Sequence, residues 1–458
     1  MPTTRRELIG GAAAWALSSG VAGAAVPRRR RPPNIVFVMA DDLGWADLSC
    51  YGRRDYRTPA LDRLARQGVR LTQGYANSCV CSPTRVALIT GRYQQRLRVG
   101  LEEPIAGPAP GIRLPAGHPT LPSLLRTAGY RTALVGKWHI GFDPAAGPND
   151  YGYDYFFGFH GGGTNYYHPP PDPGAASSAG GIYRNRDRVF STEYLTDLIG
   201  DEAVRWIGRG DGPFFLSVHF SAPHWPWVAP GDQAAAANWT DTFDRHRGSL
   251  EIYARMVRSL DDNVAKVLTA LERANVANDT IVVFTSDNGG ERFSDMWPFS
   301  GVKGELLEGG IRVPVIIRWP GRVRAGRTSS QVMTSMDFLP TLLSAAGSGP
   351  DVSFPPDGED LVAVLTGTAP ERPRRLFWRF RNAEQAAVRD GDWKYLKLRG
   401  REYLFNLALD QRERANLKDV EPSRFQAMKS QFATWDATML NYPDNSFSYD
   451  VRQVDPDR

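Results

Sequence analysis

The sequence predicts an α/β fold with a large, doubly wound, mostly parallel sheet covered by helices on both faces, followed by a smaller C-terminal subdomain. Three observations lead to this prediction. Short apolar runs without alternation, typical of strands buried on both faces, recur along the chain. Helical patterns lie between these runs. After a Pro- and Gly-rich passage at residues 347–373, short alternating runs indicate a small antiparallel sheet and then a helix.

Four apolar runs are predicted to be strands of the large sheet, and each ends abruptly in polar residues. The runs are 35–40, 132–135, 214–220 and 281–285, and the helical patterns between them are 58–67, 121–128 and 252–274. Ligands of such sheets bind beyond the carboxyl ends of the strands. We therefore expect the polar clusters that follow the four runs to meet at one edge of the sheet.

Residues 1–31 are expected to be an export signal and a basic linker. Arg5 and Arg6 precede an apolar run and a small-residue cleavage site, a pattern similar to twin-arginine signals. An uncleaved membrane anchor is the alternative, but the apolar run is short and is interrupted by Gly and Ser. We expect a periplasmic or secreted protein with no stable membrane anchor after cleavage.

The 458 residues are expected to form a main domain at 32–370 and a C-terminal subdomain at 371–458. In the subdomain, strands are predicted at 376–380, 386–389, 393–398 and 402–407, with a helix at 422–439. The segment 141–189, rich in Gly, Pro and aromatic residues, is expected to be a loop. It either forms a wall of a substrate pocket or is a surface loop whose aromatic side chains pack against one another.

Charge and cysteine content exclude several classes of protein. The net charge of +5 arises within residues 1–31, which contain six arginines and one glutamate, so the remainder is neutral. A neutral globular part argues against a nucleic-acid-binding surface. Three cysteines are too few for a disulfide scaffold and lack the spacing of a zinc site. Cys50 and Cys79 are expected either to pair or to stay as free buried thiols.

The stretch from Cys81 to Arg92 reads Cys-Ser-Pro-Thr-Arg-Val-Ala-Leu-Ile-Thr-Gly-Arg and is predicted to begin a helix. Pro83 suits the first turn of a helix, and the apolar residues at 86–89 can continue it into a core. Cys81 and Arg85 then share the face at the helix start, where unpaired N–H groups favour anions. This arrangement predicts a site for an oxyanion substrate.

The same stretch resembles the signature of the type I, formylglycine-dependent sulfatases of the alkaline phosphatase superfamily. That signature is Cys-x-Pro-x-Arg followed by Thr-Gly-Arg; Thr84 and Ile89 stand where the family more often has Ser and Leu. The resemblance extends over roughly residues 33–345 and more loosely to about 417. It implies that a formylglycine-generating enzyme converts Cys81 to formylglycine. Residues 156–163 are similar to stretches of arylsulfatases and N-acetylgalactosamine-6-sulfatases, which implies a sulfated carbohydrate or an aryl sulfate as substrate.

Hard oxygen ligands follow two of the predicted strands. Asp41 and Asp42 follow the first, and Asp287 and Asn288 follow the fourth. A dense carboxylate cluster repels itself unless a hard divalent cation binds it. The resemblance implies Ca²⁺, with Mg²⁺ as the alternative, and a ligand set of Asp41, Asp42, position 81, Asp287 and Asn288. By contrast, Asp261 and Asp262 lie inside a predicted helix and are expected to be solvated or locally paired.

Basic groups follow the remaining strands: Lys137 and His139 in Gly-Lys-Trp-His, His224 in Ala-Pro-His-Trp-Pro, and Lys303 in Gly-Val-Lys-Gly. The resemblance implies that these residues surround the sulfate group together with Cys81 and Arg85. Arg85, Lys137 and Lys303 would stabilise charge that develops during transfer. Asp287 would assist deprotonation of the attacking hydroxyl, His224 or Lys303 would protonate the leaving oxygen, and His139 would assist release of sulfate. His118, His160, His168, His219 and His246 match no motif.

The expected function is hydrolysis of sulfate esters. A phosphonate or phosphate ester hydrolase of the same superfamily is the alternative. The third hypothesis is a non-catalytic, carbohydrate-binding relative. That hypothesis predicts that residues of the catalytic motifs have been lost, whereas every expected site residue is present.

Overall fold

The computed structural model describes residues 31–107, 109, 111–142, 147–167, 181–237 and 247–450. Residues 1–30 of the predicted export signal and basic linker lie outside these ranges, as do His168 and His246. The described residues from Pro32 onward belong to one compact unit. Within them, no helix combines the length and apolar character needed to cross a bilayer.

Eleven strands of the described chain form one large sheet. They are β1 (Asn34–Ala40), β2 (Val69–Tyr75), β3 (Arg131–Lys137), β4 (Tyr155–Phe159), β5 (Ile182–Arg184), β6 (Asp187–Val189), β7 (Phe214–His219), β8 (Thr280–Ser286), β9 (Arg312–Arg318), β10 (Arg327–Ser329) and β11 (Met333–Thr334). The order is β10-β2-β9-β8-β1-β7-β3-β4-β5-β6, and β11 also pairs with β2.

The four strands predicted from the sequence are neighbours at the centre of this sheet. β1 pairs in parallel with both β7 and β8, and β7 pairs in parallel with β3. Every residue of β1 is buried. Val36 and Val38 pack into one apolar core, whereas Ile35, Phe37 and Met39 pack into another. Because β1 has a core on each face, its sequence shows no alternation, and the mostly parallel, doubly wound sheet is confirmed.

Helices cover the sheet and connect its strands. They are α1 (Pro59–Gln67), α2 (Cys81–Thr90), α3 (Leu121–Thr127), α4 (Leu195–Ile207), α5 (Gln233–Ala237), α6 (Leu250–Arg273), α7 (Glu308–Ile311), α8 (Phe338–Ala345), α9 (Val362–Leu365) and α10 (Pro422–Asp436). α1, α3 and α6 correspond to the helical patterns in the sequence.

The C-terminal part is an antiparallel sheet with a helix, as predicted. Its strands, in spatial order, are β12 (Arg375–Phe380), β13 (Gln385–Asp390), β14 (Trp393–Leu398) and β15 (Arg401–Asn406). Phe425 and Met428 of α10 share a small core with Val388 of β13 and Tyr395 of β14. The indole of Trp378 donates a hydrogen bond of 2.8 Å to the carbonyl of Ala76 in the large domain. The domain boundary near residue 370 stays a prediction.

The expectation of a loop at 141–189 is wrong in part, because β4, β5 and β6 lie within that segment. β4 pairs in parallel with β3, with Gly158 opposite Gly136. A Cβ atom on Gly158 would lie 1.9 Å from the Gly136 carbonyl oxygen, so the close approach of these two strands requires glycine. Gly158, one of the glycines that suggested a loop, therefore serves strand pairing here.

The expectation for Asp261 is also wrong. Its side chain is buried and accepts hydrogen bonds of 2.9 and 2.8 Å from the backbone N–H groups of Ala60 and Leu61. These are unpaired donors at the start of α1, so a carboxylate from α6 caps a helix about 200 residues away. Asp262, the next residue, is exposed.

Candidate active site

Three buried carboxylates and three buried cations form ion pairs at the carboxyl edge of the sheet. Asp41 and Asp42 directly follow β1, and Asp287 directly follows β8. These side chains are buried, and so are Arg85, Lys137 and Lys303. The ammonium of Lys137 pairs with Asp41, that of Lys303 lies 2.8 Å from Oδ2 of Asp42, and Nη2 of Arg85 lies 2.8 Å from Oδ2 of Asp287. The predicted convergence of strand ends is therefore present.

Cys81 is the first residue of α2, and every residue of that helix is buried. Arg85 lies one turn further on. Its Nε and Nη2 atoms both donate to Oδ2 of Asp287, at 3.0 and 2.8 Å, and its Nη1 donates to the Lys137 carbonyl at 3.1 Å. Burial raises the pKa of the Cys81 thiol to about 11, although the charges of Lys137 and Lys303 act in the opposite direction. The helix predicted from Pro83 thus carries Cys81 and Arg85 into the site.

The carboxylates fit a hard divalent cation. The ligand atoms of Asp41, Asp42, Cys81 and His224 all lie within 4.8 Å of one another. Oδ1 of Asp41 and Oδ1 of Asn288 are buried and accept no hydrogen bond from the described residues. Burial raises the pKa of Asp41 well above its ordinary value and that of Asp42 to about 6. A bound dication would remove this electrostatic cost and would coordinate the two oxygens that accept no hydrogen bond.

The predicted ligands Asp287 and Asn288 also belong to this cluster, because both form hydrogen bonds with Asp42. Oδ1 of Asp287 accepts a hydrogen bond of 3.3 Å from the backbone N–H of Asp42, and Nδ2 of Asn288 donates one of 2.7 Å to Oδ1 of Asp42. Burial acts to raise the pKa of Asp287, but the charges of Arg85 and Lys137 outweigh it and hold that pKa below its ordinary value. Asp287 is therefore ionised at neutral pH.

Two histidines of the site contact a glycine-rich segment that begins at the end of β4. A Cβ atom on Gly162 would lie 2.6 Å from the His139 ring, and one on Gly163 would lie 3.2 Å from the His224 ring. Nε2 of His139 lies 2.9 Å from the Ile105 carbonyl, whereas its Nδ1 is buried without a hydrogen-bond partner in the described chain. Burial, with the charge of Lys137, holds the pKa of His139 well below its ordinary value, so its ring is neutral.

Sequence reasoning missed two residues that support the site. Oδ2 of Asp47 accepts from Gly44 N–H at 2.7 Å and from the Tyr253 hydroxyl at 2.6 Å, while its Oδ1 accepts from Asp295 N–H at 2.9 Å. Asp47 thereby joins the loop after β1 to the loop after β8. His219, the last residue of β7, lies 3.4 Å from Nη1 of Arg85. Its position at a strand end was the signal that would have identified it.

Cys50, Cys79 and Cys81 are free thiols in the structure. Of the two alternatives left open by the sequence, the unpaired one therefore describes Cys50 and Cys79. Cys79 is buried and lies beside the site stretch, whereas Cys50 is only partly buried near α1.

Comparisons with known proteins agree with this geometry. The family model described as "Sulfatase" matches residues 33–348, and one described as "N-sulphoglucosamine sulphohydrolase, C-terminal" matches residues 303–433. The chain is 33% identical over 415 residues to N-acetylgalactosamine-6-sulfatase of Canis lupus familiaris, which covers 82% of this chain and 73% of that relative.

Solved structures are similar over nearly the whole chain. One, described as Ps i-CgsB in complex with k-i-k-neocarrahexaose, superposes with a TM-score of 0.81 and 29% identity and covers 93% of this chain and 96% of the other. A phosphonate monoester hydrolase of Agrobacterium radiobacter superposes with a TM-score of 0.65 and 24% identity over 89% of this chain and 96% of the other. At that identity the second likeness concerns the fold alone.

Replacement of Asp47 by asparagine is expected to lower the free energy of unfolding by about 3 kcal/mol, because the buried Arg53 guanidinium loses the charge of a buried partner 2.9 Å away. The matched control is Asp55→Asn, which removes the partly exposed second partner of Arg53 and should cost less than about 1 kcal/mol. Urea unfolding of both variants measures the difference. Equal losses would contradict a special role for Asp47.

Proposed function

The chain belongs to the sulfatase family, as a type I sulfatase of the alkaline phosphatase superfamily, and we propose that it acts on sulfated saccharides with a nucleophile made from Cys81. Members of this family hydrolyse sulfate esters, and the chain is a sulfuric ester hydrolase. The observation that carries the proposal is the cluster of three buried ion pairs around Cys81. Such a cluster offers fixed cations to an anionic ester and carboxylates to a metal.

Asp41, Asp42, Asp287 and Asn288 would hold the metal, Ca²⁺ or alternatively Mg²⁺, together with position 81. Bound there, the ion would supply positive charge beside the sulfate oxygens. The two orphaned oxygens of Asp41 and Asn288 favour this ligand set. Oxygen ligands favour a hard ion over zinc.

Cys81 is proposed to be converted to formylglycine by a formylglycine-generating enzyme. A thiol that attacked sulfur would be left with a thiosulfate-like adduct, whereas formylglycine supplies two hydroxyls on one carbon when hydrated, one to attack sulfur and one to expel sulfate. Cys81 is only 1% exposed, so another enzyme cannot reach it in the folded protein. Conversion must therefore precede completion of the fold.

The remaining residues have roles that follow from their charges. Arg85, Lys137 and Lys303 would hold the sulfate oxygens, and Asp287, being ionised, would accept the proton of the attacking group. His224 or Lys303 would donate a proton to the leaving oxygen. His139, neutral and with a buried unpartnered Nδ1, would accept a proton as sulfate is released.

A saccharide is the proposed substrate because the relatives and neighbours named above include an N-acetylgalactosamine-6-sulfatase and a protein solved with neocarrahexaose. Gly162 and Gly163 let the rings of His139 and His224 lie close to the backbone, because a Cβ atom would be 2.6 Å from the first ring or 3.2 Å from the second. Export to the periplasm or beyond by a twin-arginine signal is proposed from Arg5 and Arg6.

Substitution Cys81→Ala should abolish turnover, because alanine cannot be converted to a nucleophile. The unfolding transition should stay close to that of the parent, and metal binding should weaken but persist, because four of the five proposed ligands remain. The matched control is Cys79→Ala, two residues away and also buried, which should retain turnover. Steady-state assays with an aryl sulfate measure both variants. Sustained activity of the Cys81 variant would refute a nucleophile at this position.

Metal and sulfate should bind cooperatively. Each site cation is paired with a carboxylate, so a dication on the carboxylates frees the cations for an anion. We expect inorganic sulfate to tighten Ca²⁺ binding by about 5- to 100-fold, the usual range of coupling between sites. Calorimetric titration of chelator-stripped protein, with and without sulfate, measures the effect, and Asp287→Asn should reduce it, because the variant removes one of the three carboxylate–cation pairs. Identical Ca²⁺ affinities in the two titrations would contradict the coupling.

The alternative function, phosphonate or phosphate ester hydrolysis, is tested by comparing kcat/KM on 4-nitrophenyl sulfate and 4-nitrophenyl phosphate. The two substrates share a leaving group, so the comparison isolates the transferred group. We expect the higher kcat/KM on the sulfate ester. The reverse order would favour the alternative.

A further inference from the structure

Two residues that match none of the site motifs contact the Lys303 ammonium. Oε1 of Glu291 lies 3.3 Å from Nζ of Lys303, in addition to Oδ2 of Asp42 at 2.8 Å. The Tyr449 hydroxyl donates a hydrogen bond of 3.1 Å to the same Oε1 of Glu291. The centre of the Tyr449 ring lies 5.7 Å from Nζ. Lys303 and Tyr449 are buried, and Glu291 is 12% exposed.

The segment that carries Tyr449 is fixed in register beside the site. Its backbone N–H donates to the Glu103 carbonyl at 2.6 Å, and Glu103 N–H donates to the Phe447 carbonyl at 2.9 Å. Nδ2 of Asn382 donates to the Tyr449 carbonyl at 2.8 Å, and the Ser448 hydroxyl donates to Oε2 of Glu103 at 3.0 Å. These hydrogen bonds therefore hold the Tyr449 side chain at a defined position beside the active site.

A lysine ammonium is a compact charge on a flexible stem, so one ion pair does not fix its direction. Asp42, the nearer partner of Lys303, belongs to the proposed metal cluster, and its charge would be shared with the ion. Glu291 gives the ammonium a second partner outside that cluster. Tyr449 in turn restrains the Glu291 carboxylate through a charge-assisted hydrogen bond.

We infer that Glu291 and Tyr449 are positioning residues that hold the Lys303 ammonium toward the leaving oxygen of the substrate. The inference rests on the proposed function, and it assigns to Lys303 the stabilisation of the leaving oxygen. Charge on the leaving oxygen matters most for poor leaving groups, because these develop the least stable anions. Loss of either positioning residue should therefore slow esters of weakly acidic alcohols more than esters of acidic phenols.

The test uses the metal-loaded, formylglycine-containing enzyme and a series of substituted phenyl sulfates whose phenols differ in pKa. For Tyr449→Phe and Glu291→Gln, we expect kcat on the poorest leaving group to fall about tenfold, as expected for loss of a hydrogen bond to a charged group. 4-Nitrophenyl sulfate should be affected less than about threefold. The plot of log kcat against phenol pKa should therefore become steeper, with little change in KM.

The matched control is Tyr442→Phe. The Tyr442 hydroxyl donates to Oε1 of Glu103, so this variant weakens attachment of the same chain segment without altering the partners of Lys303. It should keep the parental slope. A loss of equal size on every substrate for Tyr449→Phe and Glu291→Gln, parental slopes in both, or the same steepening in Tyr442→Phe would each overturn the inference. A parent enzyme inactive on phenyl sulfates and on sulfated saccharides alike would instead count against the proposed function.

Discussion

The structure depends on the pairing of buried charges at one edge of its large sheet. Three carboxylates and three cations lie in surroundings from which water is largely excluded, where an unpaired charge would be strongly destabilising. The paired residues are 96, 202 and 261 positions apart in the sequence. The charges therefore balance only when β1, β3, β8 and α2 are all in place. The active site is therefore assembled only in the folded chain.

The same balance explains how the site can accept both a dication and an oxyanion. Each cation is held by a carboxylate, so the cluster is neutral and can persist when no ligand is bound. A dication attracts the carboxylates and repels the cations, which then need a new anionic partner. A sulfate ester is such a partner. Glu291 and Tyr449 extend the arrangement by giving Lys303 a partner that the metal does not use.

The sequence was sufficient to predict features that depend on local patterns. The central strands were visible because unbroken apolar runs signal burial on both faces, and Asp41, Asp287, Lys137 and Lys303 were visible because they follow strands or belong to motifs. β4 was missed because its one glycine, Gly158, which permits close strand pairing, lies in a Gly- and Pro-rich segment that resembles a loop. Asp261 and Tyr449 have roles set by partners distant in the chain, and no local pattern reveals such contacts.

The most direct test of this account is the mass of the tryptic peptide spanning residues 71–85, isolated from enzyme with full activity. Conversion of Cys81 to formylglycine replaces a thiol and a hydrogen by an aldehyde oxygen and lowers the peptide mass by about 18 Da. We expect the mass to be lower by this amount, with the change located at residue 81 and Cys79 unaltered. Fully active enzyme whose peptide carries both cysteines intact would contradict the central claim.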